Sequence, residues 1–379
     1  MGAMHLARPL FAASFGVSIF LVALITSSNG VARLVSGPII GFLMDRWGRK
    51  PLLIVGVFLR GLTGLAEYFA SSYLEFLVLE FIGGIGVSIW GTGSSIVIAD
   101  VTGEENRGRA VATRSFSMRL GNVSGPLIGG LLATFFDLRS IFLFNAVTKL
   151  VVLLVLIFLV AETRPEAAAK RSGPTGAGEQ VGFNIFLTRA FLVISFVTFT
   201  LSLLGGGVFE ALFPIYAKKT MGLTPGEIGY LLTAVSVTVL LVSVPNGIMV
   251  DRYGRKKTLI PGTLILAVSA YLLARIGKLP SAYLAVVVYG IGEAMTSGAA
   301  QVYVMDLAPE DRRGAFLGVW SLFTNTSAVI APLLAGFLAQ TTDFSFTFKG
   351  IAVLVVLSAM VMWIFGPETG VKRKRATAA

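Results

Sequence analysis

The chain has 379 residues, of which 55% are hydrophobic and 13% are charged, and its formal net charge is +11. This composition excludes a soluble globule, because so few polar residues could not cover the surface, and it indicates a membrane protein. With no cysteine and one histidine, disulfides, zinc sites built on Cys or His and catalytic dyads that use them are excluded, and we expect no metal or other cofactor.

Eleven apolar segments are each long enough to cross a hydrocarbon core about 30 Å thick. We therefore predict an all-α membrane protein with eleven transmembrane helices, at roughly 20–44, 51–71, 73–99, 109–136, 140–161, 187–212, 226–250, 258–277, 281–305, 314–340 and 346–366. The glycine clusters at 83–86 and 205–207 lie inside these apolar segments. They lack the context of a phosphate-binding loop, so direct use of ATP is not indicated.

Basic residues are concentrated in alternate connections between these segments. Eighteen lie on one predicted side and five on the other. Positive residues resist translocation, so the rich side is predicted to be cytoplasmic in a multi-pass protein of the cell membrane (plasma or inner). This distribution accounts for the net charge as a topology signal, and we expect the lipid bilayer, and no nucleic acid, as a partner.

One ten-residue motif occurs twice, 206 residues apart, at Gly41–Lys50 and Gly247–Lys256. Each copy joins two apolar segments, and the same offset relates several further pairs, including Asp100 with Asp306 and Pro126 with Pro332. A constant offset across so many segments indicates a duplicated membrane unit. The predicted domains are a helical bundle at 1–162, a cytoplasmic linker at 163–185 rich in Ala, Gly and Pro, a six-helix bundle at 186–369 and a basic tail at 370–379.

The same register predicts a difference between the halves at the beginning of the chain. Pro9–Ala12 aligns, within one residue, with Pro214–Ala217, which ends a complete apolar segment in the second half. Eight residues precede Pro9. We therefore expect the first helix of the first half to be missing, which leaves eleven helices where symmetry requires twelve, and we expect the amino end to face outward.

These motifs resemble the major facilitator superfamily over essentially the whole chain. Its signature loop combines glycine, Asp-Arg and Gly-Arg-Lys, and both copies fit it. The resemblance implies two pseudo-symmetric helical bundles that rock about a midplane site, with the first copy and the end of the fourth helix latching the outward-facing state. The gating network implied by this resemblance comprises Gly41, Asp45, Arg46, Gly48, Arg49, Lys50, Asp100, Glu104 and Arg107, with Gly247, Asp251, Arg252, Gly254, Arg255, Asp306 and Arg313 as the counterpart.

The fifth segment contains small residues at four-residue spacing and a proline. It resembles the glycine–proline element of proton-coupled antiporters in the superfamily, carried here by Gly121, Gly125, Pro126, Gly129 and Gly130. A tight contact between two helices is the alternative interpretation. The antiporter branch also has an arginine early in its fourth helix, where this chain has Glu80. The sugar-porter branch fits less well, because its glutamine pair is not found in the seventh helix.

Five ionisable residues fall near the predicted membrane midplane when depth is counted at about 1.5 Å per residue from the cytoplasmic ends. Glu293 is the candidate proton or substrate group, because it is the carboxylate predicted at that depth, and Arg33 and Arg119 would act with it. Arg60 and Lys149 are expected to pair within the protein or to extend towards the interface. Glu67 and Glu80 are expected to lie further out and not level with the first-half arginines. Glu80 and Glu210 are weaker candidates, the latter at the outer rim.

The sequence therefore predicts a secondary transporter, not an enzyme, that exports a small organic molecule in exchange for protons by alternating access. Two alternatives stay open. Arginines that face the cavity would suit uptake or exchange of an organic anion. A bundle that lacks one helix would suit a non-transporting sensor or an inactive truncated homologue. The transporter is expected to act as a monomer.

Overall fold

A computed structural model of the chain describes residues 2–163, 188–309 and 313–369. These residues divide into two compact units, Met1–Glu179 and Gln180–Ala379. The predicted basic tail and all but the first residue of the predicted linker lie outside the described residues, as do the side chains of Glu104, Arg107 and Arg313.

Both units are bundles of helices. The first unit comprises α1 (Gly2–Ser14), α2 (Ile19–Trp47), α3 (Arg49–Phe69), α4 (Tyr73–Val101), α5 (Glu104–Phe135) and α6 (Ser140–Leu159). The second unit begins with α7 (Arg189–Ser202), which continues through a π-helical segment (Leu203–Leu212) into α8 (Phe213–Lys219). It is completed by α9 (Pro225–Tyr253), α10 (Arg255–Leu273), α11 (Leu279–Leu307), α12 (Arg313–Thr341) and α13 (Phe344–Phe365).

Each of the eleven predicted segments coincides with a helix. In the described part of the chain, ten helical stretches have the length and hydropathy of a membrane span. The eleventh prediction is α5, which has 32 residues and is therefore about 48 Å long. Its glycines and Arg119 lower its hydropathy without shortening it. The predicted all-α membrane architecture is confirmed.

Where the sequence predicts a missing helix, the first unit has the short helix α1. Its 13 residues extend about 20 Å, which is less than the thickness of the hydrocarbon core. Helix α1 packs along α5, and in the second unit the π-helical segment packs along α12 in the same way. Helix α1 therefore packs against α5 as the π-helical segment packs against α12. It is too short to do so across the whole thickness of the membrane.

Local sequence signals explain where several helices begin. Ser72 caps α4 and forms a capping box with Glu75, and Thr224 forms the same box with Glu227 at the start of α9. In each box a hydroxyl and a carboxylate accept hydrogen bonds from backbone N–H groups that the first turn leaves unpaired. Large apolar side chains remain exposed on the outer faces, as at Leu159 with 78% exposure, which suits contact with lipid.

Candidate functional site

The turn between α2 and α3 holds a charge cluster centred on Arg49, which is 6% exposed. The Arg49 Nε atom donates to Asp100 Oδ2 on α4 at 3.0 Å, and its Nη2 atom lies 3.3 Å from Asp45 Oδ1. Its Nη1 atom donates to the Met44 carbonyl at 3.1 Å. We call Asp45, Arg49 and Asp100 the first turn cluster. It ties the end of α2, the start of α3 and the end of α4 together within the first unit.

Glycine makes this turn possible. Gly48 has φ 97° and ψ 166°, a conformation that side chains with a Cβ rarely adopt. Glycine also offers no side chain to cap α3, and Glu162, just after α6, takes that role. Its two carboxylate oxygens accept from the backbone N–H groups of Arg49 and Lys50 at 3.0 and 3.1 Å. A carboxylate is favourable at a helix N-terminus because the helix dipole is positive there.

The second unit repeats this arrangement. Arg255 Nε lies 3.0 Å from Asp306 Oδ2 as an ion pair, although the N–H direction does not suit a hydrogen bond. Gly254 has φ 99°, and Glu368 accepts from the backbone N–H of Lys256 at 3.2 Å. We call Arg255 and Asp306 the second turn cluster. Duplication has preserved contacts here as well as residue types.

The other predicted gating residues surround these two clusters. Lys50 and Lys256 donate through Nζ to backbone carbonyls at the ends of α6 and α13, at 2.9 Å for Lys50 and at 2.7 Å to both Trp363 and Gly366 for Lys256. Arg46, Asp251 and Arg252 are exposed, and Gly41 and Gly247 lie in the last turns of α2 and α9. The side chains of Glu104, Arg107 and Arg313 lie outside the described residues.

The first unit also contains a buried polar network, which we define as Arg8, Asn29, Arg60, Glu67 and Glu80. Glu67 and Glu80 are both 0% exposed, and Arg60 is 4% exposed. The Arg60 Nη1 atom donates to Glu67 Oε1 at 2.8 Å, and Nη2 lies 3.7 Å from Glu80 Oε1. Arg8 on α1 and Asn29 on α2 also donate to Glu80, at 2.7 and 3.2 Å.

This network adds contacts that the depth prediction does not include. Glu67 and Glu80 are predicted not to be level with the first-half arginines, yet the Arg60 side chain contacts both of them. Counting helix rise locates Cα atoms, whereas an arginine and a glutamate side chain together extend across about two helical turns. Gly83 of α4 leaves space for the Arg60 guanidinium, which a Cβ at that position would contact. The expectation that Arg60 pairs within the protein is confirmed.

The glycine–proline element on α5 packs against α1. A Cβ added at Gly125 would lie 2.6 Å from the Ala3 nitrogen and 2.7 Å from the Gly2 Cα, and one at Gly129 would lie 3.1 Å from the Ala3 Cβ. In the second unit, a Cβ at Gly207 would lie 2.9 Å from the Ala331 carbonyl oxygen. The geometry favours the tight-contact interpretation. A Cβ added at Gly121 would have no atom within 4 Å. Pro126 and Gly130 lie on the buried side of α5.

Glu293 is the midpoint of α11 and is partly buried. The hydroxyl of Tyr289, one turn earlier, donates to Glu293 Oε2 at 3.5 Å, and the Tyr289 ring stacks on Phe209 with centroids 3.4 Å apart. Phe209 belongs to the π-helical segment, next to Glu210, which is exposed. A carboxylate, a phenol and an aromatic ring therefore meet halfway along the membrane-length helix α11.

Arg33 on α2 is exposed, and Arg119 on α5 is partly buried. Both arginines belong to the first unit, whereas Glu293 belongs to the second. Their predicted joint action with Glu293 stays a prediction.

Comparison with known proteins decides the family. A model of the Major Facilitator Superfamily matches residues 3–224 and again residues 196–379. The chain belongs to the major facilitator superfamily. It is therefore a multi-pass membrane protein and a transport protein rather than an enzyme, as the sequence motifs predict. The two matches together span residues 3–379.

Relatives in this superfamily include multidrug resistance protein 1 of Bacillus subtilis (strain 168), which is 26% identical over 88% of this chain and 84% of its own length. A Na⁺, Li⁺, K⁺/H⁺ antiporter of Planococcus maritimus is 26% identical over 94% of this chain and 89% of its own length. A crystal structure of a D-xylose–proton symporter has a TM-score of 0.76 at 20% identity and covers 97% of this chain and 94% of that one. That similarity shows the major facilitator fold.

Sequence reasoning missed several contacts that shape this superfamily member. The pairing of Arg8 with Glu80 has no sequence signal. Arg114 on α5 donates to the Ser95 hydroxyl on α4 at 2.9 Å and was not singled out. The capping carboxylates Glu162 and Glu368 had a usable signal, because both are followed by threonine and lie at the duplication offset of 206 residues.

Proposed function

We propose that this superfamily member is a proton-coupled exporter of a small organic molecule that works by alternating access. Two relatives support the proposal through their names, one a multidrug resistance protein and the other a cation/H⁺ antiporter. Alternating access in such duplicated transporters involves movement of one repeat relative to the other around a site near the midplane.

The observation that carries the proposal is the position and surroundings of Glu293. A carboxyl group halfway through the membrane is costly to keep charged, so such a residue is a functional candidate by default. Glu293 is partly buried, so a proton has access to it. The Tyr289 hydroxyl stabilises the charged form by donating to it, and protonation removes the need for that bond. Proton uptake would therefore change the contact between α11 and the π-helical segment through Tyr289 and Phe209.

The π-helical segment suits such a change. It spans ten residues and contains Gly205, Gly206 and Gly207, and a Cβ at Gly205 would lie 3.3 Å from the Tyr289 hydroxyl. π-Helical turns are uncommon and occur frequently at functional sites. Because its turns are wider and it contains three adjacent glycines, this segment can change its hydrogen-bonding register at a low cost in free energy.

The turn clusters would set the balance between the two access states. The Arg49–Asp100 and Arg255–Asp306 pairs are largely buried within their units, with side-chain exposures of 7% and 16% and of 16% and 28%. A transporter needs states that differ by only a few kcal/mol, so pairs that form in one state and break in the other suffice to bias the equilibrium. Substrates and protons would then shift the populations through their different affinities for the two states.

The test uses purified chain in sealed vesicles with a trapped pH-sensitive dye and an imposed pH gradient. Candidate organic compounds are added, and those that move protons define the substrates. We expect Glu293→Gln to abolish substrate-linked proton movement and Tyr289→Phe to reduce it severalfold. Glu105→Gln is the matched control, because Glu105 is exposed at the start of α5. It belongs to the first unit, whereas Tyr289 and Glu293 belong to the second.

Two outcomes would overturn the proposal. Unchanged proton movement in Glu293→Gln would remove the residue from the mechanism. Flux of organic anions without proton movement, lost in Arg33→Gln or Arg119→Gln, would establish the anion uptake or exchange alternative instead.

A further inference from the structure

A small cavity of about 100 Å³ lies between α3, α4 and α6 of the first unit. Two cationic residues line it, Arg60 from α3 and Lys149 from α6, together with Trp90 of α4. Gly56 and Gly86, where α3 and α4 approach each other closely, form part of its wall. The transport mechanism proposed above makes no use of this cavity.

A hydrogen-bond donor that lines the cavity, and another one helical turn from a lining residue, lack acceptors. Arg60 is 4% exposed, and its Nη2 atom has no hydrogen-bond partner, the 3.7 Å ion pair with Glu80 being too long for one. The Asn145 side-chain nitrogen, one turn before Lys149 on α6, is also buried without a partner. Among the described residues, Lys149 has no acceptor within hydrogen-bond or ion-pair distance. A buried donor such as Arg60 Nη2 is normally satisfied, so its lack of a partner beside the cavity requires an explanation.

The charges around the cavity do not balance. The cations are Arg8, Arg60 and Lys149, and the described carboxylates that face them are Glu67 and Glu80, so one positive charge is in excess. Protonation of Glu67 or Glu80 would increase this excess. An unbalanced charge inside a bilayer is costly. Three arrangements would avoid this cost: Lys149 is uncharged, its side chain extends towards the membrane interface, or an anion accompanies it.

Depth restricts the source of such an anion. Arg60 and Lys149 lie near the midpoints of α3 and α6, about 15 Å from either helix end. Lipid phosphates stay at the membrane surface, which is about 15 Å from the midplane. A water molecule takes up about 30 Å³ in the liquid, so a cavity of about 100 Å³ has room for one small anion and its remaining water.

We infer that this cavity binds a small monovalent anion between Arg60 and Lys149. Arg60 Nη2 and the Lys149 ammonium, which both line the cavity, would supply donors, and the anion would neutralise the excess charge. A halide and a carboxylate group share the chemistry required. The site lies in the first unit and does not depend on the assignment of Glu293.

The experiment measures thermal unfolding of the purified full chain by intrinsic tryptophan fluorescence at constant ionic strength. Sodium gluconate, whose anion is too large for the cavity, is replaced stepwise by sodium chloride or by sodium acetate. We expect a saturable rise in Tm of about 2–4 °C, the size given by a ligand at about ten times its Kd. A rise with chloride identifies a halide site, and a rise with acetate alone identifies a carboxylate site.

Lys149→Met separates anion binding from a structural role of the lysine. If the inference is right, this variant loses the anion dependence, and its Tm in gluconate equals or exceeds that of the wild type because the excess charge is gone. Lys349→Met is the matched control, since Lys349 is an exposed lysine in α13, and it should keep the full anion response. A wild-type Tm that neither anion changes would overturn the inference. So would an anion response that survives in Lys149→Met.

Discussion

Gly48 and Gly254 show how a single residue type fixes the turns of this transporter. Both combine φ near 100° with an extended ψ, at 97° and 166° for Gly48 and at 99° and 159° for Gly254. Residues with a Cβ are essentially excluded from this region. The conformation brings the N-terminus of α3 against the Glu162 carboxylate, and a Cβ at Gly48 would lie 2.7 Å from Glu162 Oε2.

We predict that Gly48→Ala destabilises the first unit by about 1–3 kcal/mol through backbone strain alone, with a further loss because the Glu162 cap is displaced. Gly103→Ala is the matched control. Gly103 also precedes a helix, α5, but it has φ −69° and no atom within 4 Å of an added Cβ. Unfolding midpoints of the two variants in detergent provide the measurement. Equal midpoints would contradict the role assigned to the Gly48 conformation.

The Arg60–Glu67 pair tests how the buried network is stabilised. Glu67→Leu leaves Arg60 with one distant carboxylate, and removing one partner of a buried pair typically costs about 3–5 kcal/mol. The double variant Arg60→Leu/Glu67→Leu should recover at least half of that loss, because neither member of the pair is left without the other. Unfolding free energies of the single and double variants measure the coupling. If the loss of unfolding free energy in the double variant equals the sum of the losses in the two single variants, the two side chains do not stabilise each other.

At the scale of helices, the pairing of α1 with α5 repeats the pairing of the π-helical segment with α12. In both units small residues let two backbones approach closely. Gly2 lies against the carbonyls of Gly121 and Asn122, and Gly207 lies against that of Ala331. Helices in membranes lack a strong hydrophobic driving force for association, so close packing of this kind carries much of their stability.

We therefore expect Gly125→Ala to separate α1 from α5, since the added Cβ would lie 2.6 Å from the Ala3 nitrogen, a backbone atom that cannot move independently. Gly121→Ala lies one turn earlier and meets nothing within 4 Å, so it should be neutral. The unfolding midpoints of the two variants in detergent provide the measurement. A midpoint of Gly125→Ala equal to that of Gly121→Ala would contradict the expected separation.

The sequence predicted the helices and the turns well, because hydropathy and the duplicated motif are local signals. Eleven predicted segments coincide with helices, and the arginine–aspartate contacts of both turn clusters join residues that the duplication had singled out. The pairing of Arg60 with Glu67 and Glu80 could not be predicted by counting depth, because side-chain reach and the space at Gly83 depend on packing. The π-helical segment likewise has no periodicity signal that separates it from an α-helix.

At the scale of the whole molecule, the two units share their turns and differ in their interiors. Lys50 donates to the Ile157 carbonyl, and Lys256 donates to that of Trp363 at the same offset. By contrast, every member of the buried network has an apolar counterpart in the second unit, namely Phe213, Val235, Leu266, Leu273 and Val286. Replacement of buried charges by apolar residues is often neutral for stability, so the first-unit network is not required by the fold.

If the two units are copies that cross the membrane in the same direction, the duplication predicts which residues lie on the same side of the membrane. Residues related by the 206-residue offset should face the same side of the bilayer, and the two ends of one helix should face opposite sides. Pro51 and Lys257 are such a pair, both exposed next to the turn clusters, and Ser71 and Gly277 are a pair at the opposite helix ends, also exposed. The natural chain contains no cysteine, so single-cysteine variants at these positions need no other change.

We predict that a membrane-impermeant maleimide labels Pro51→Cys and Lys257→Cys in inside-out vesicles and labels Ser71→Cys and Gly277→Cys in right-side-out cells. Detergent-solubilised samples, in which all four sites should react, provide the control for reactivity. The positive residues near positions 51 and 257 fix the expected side as cytoplasmic. Labelling of Pro51→Cys and Lys257→Cys from opposite sides would contradict the parallel duplication, and with it the assignment of the two turn clusters to equivalent positions in one transport cycle.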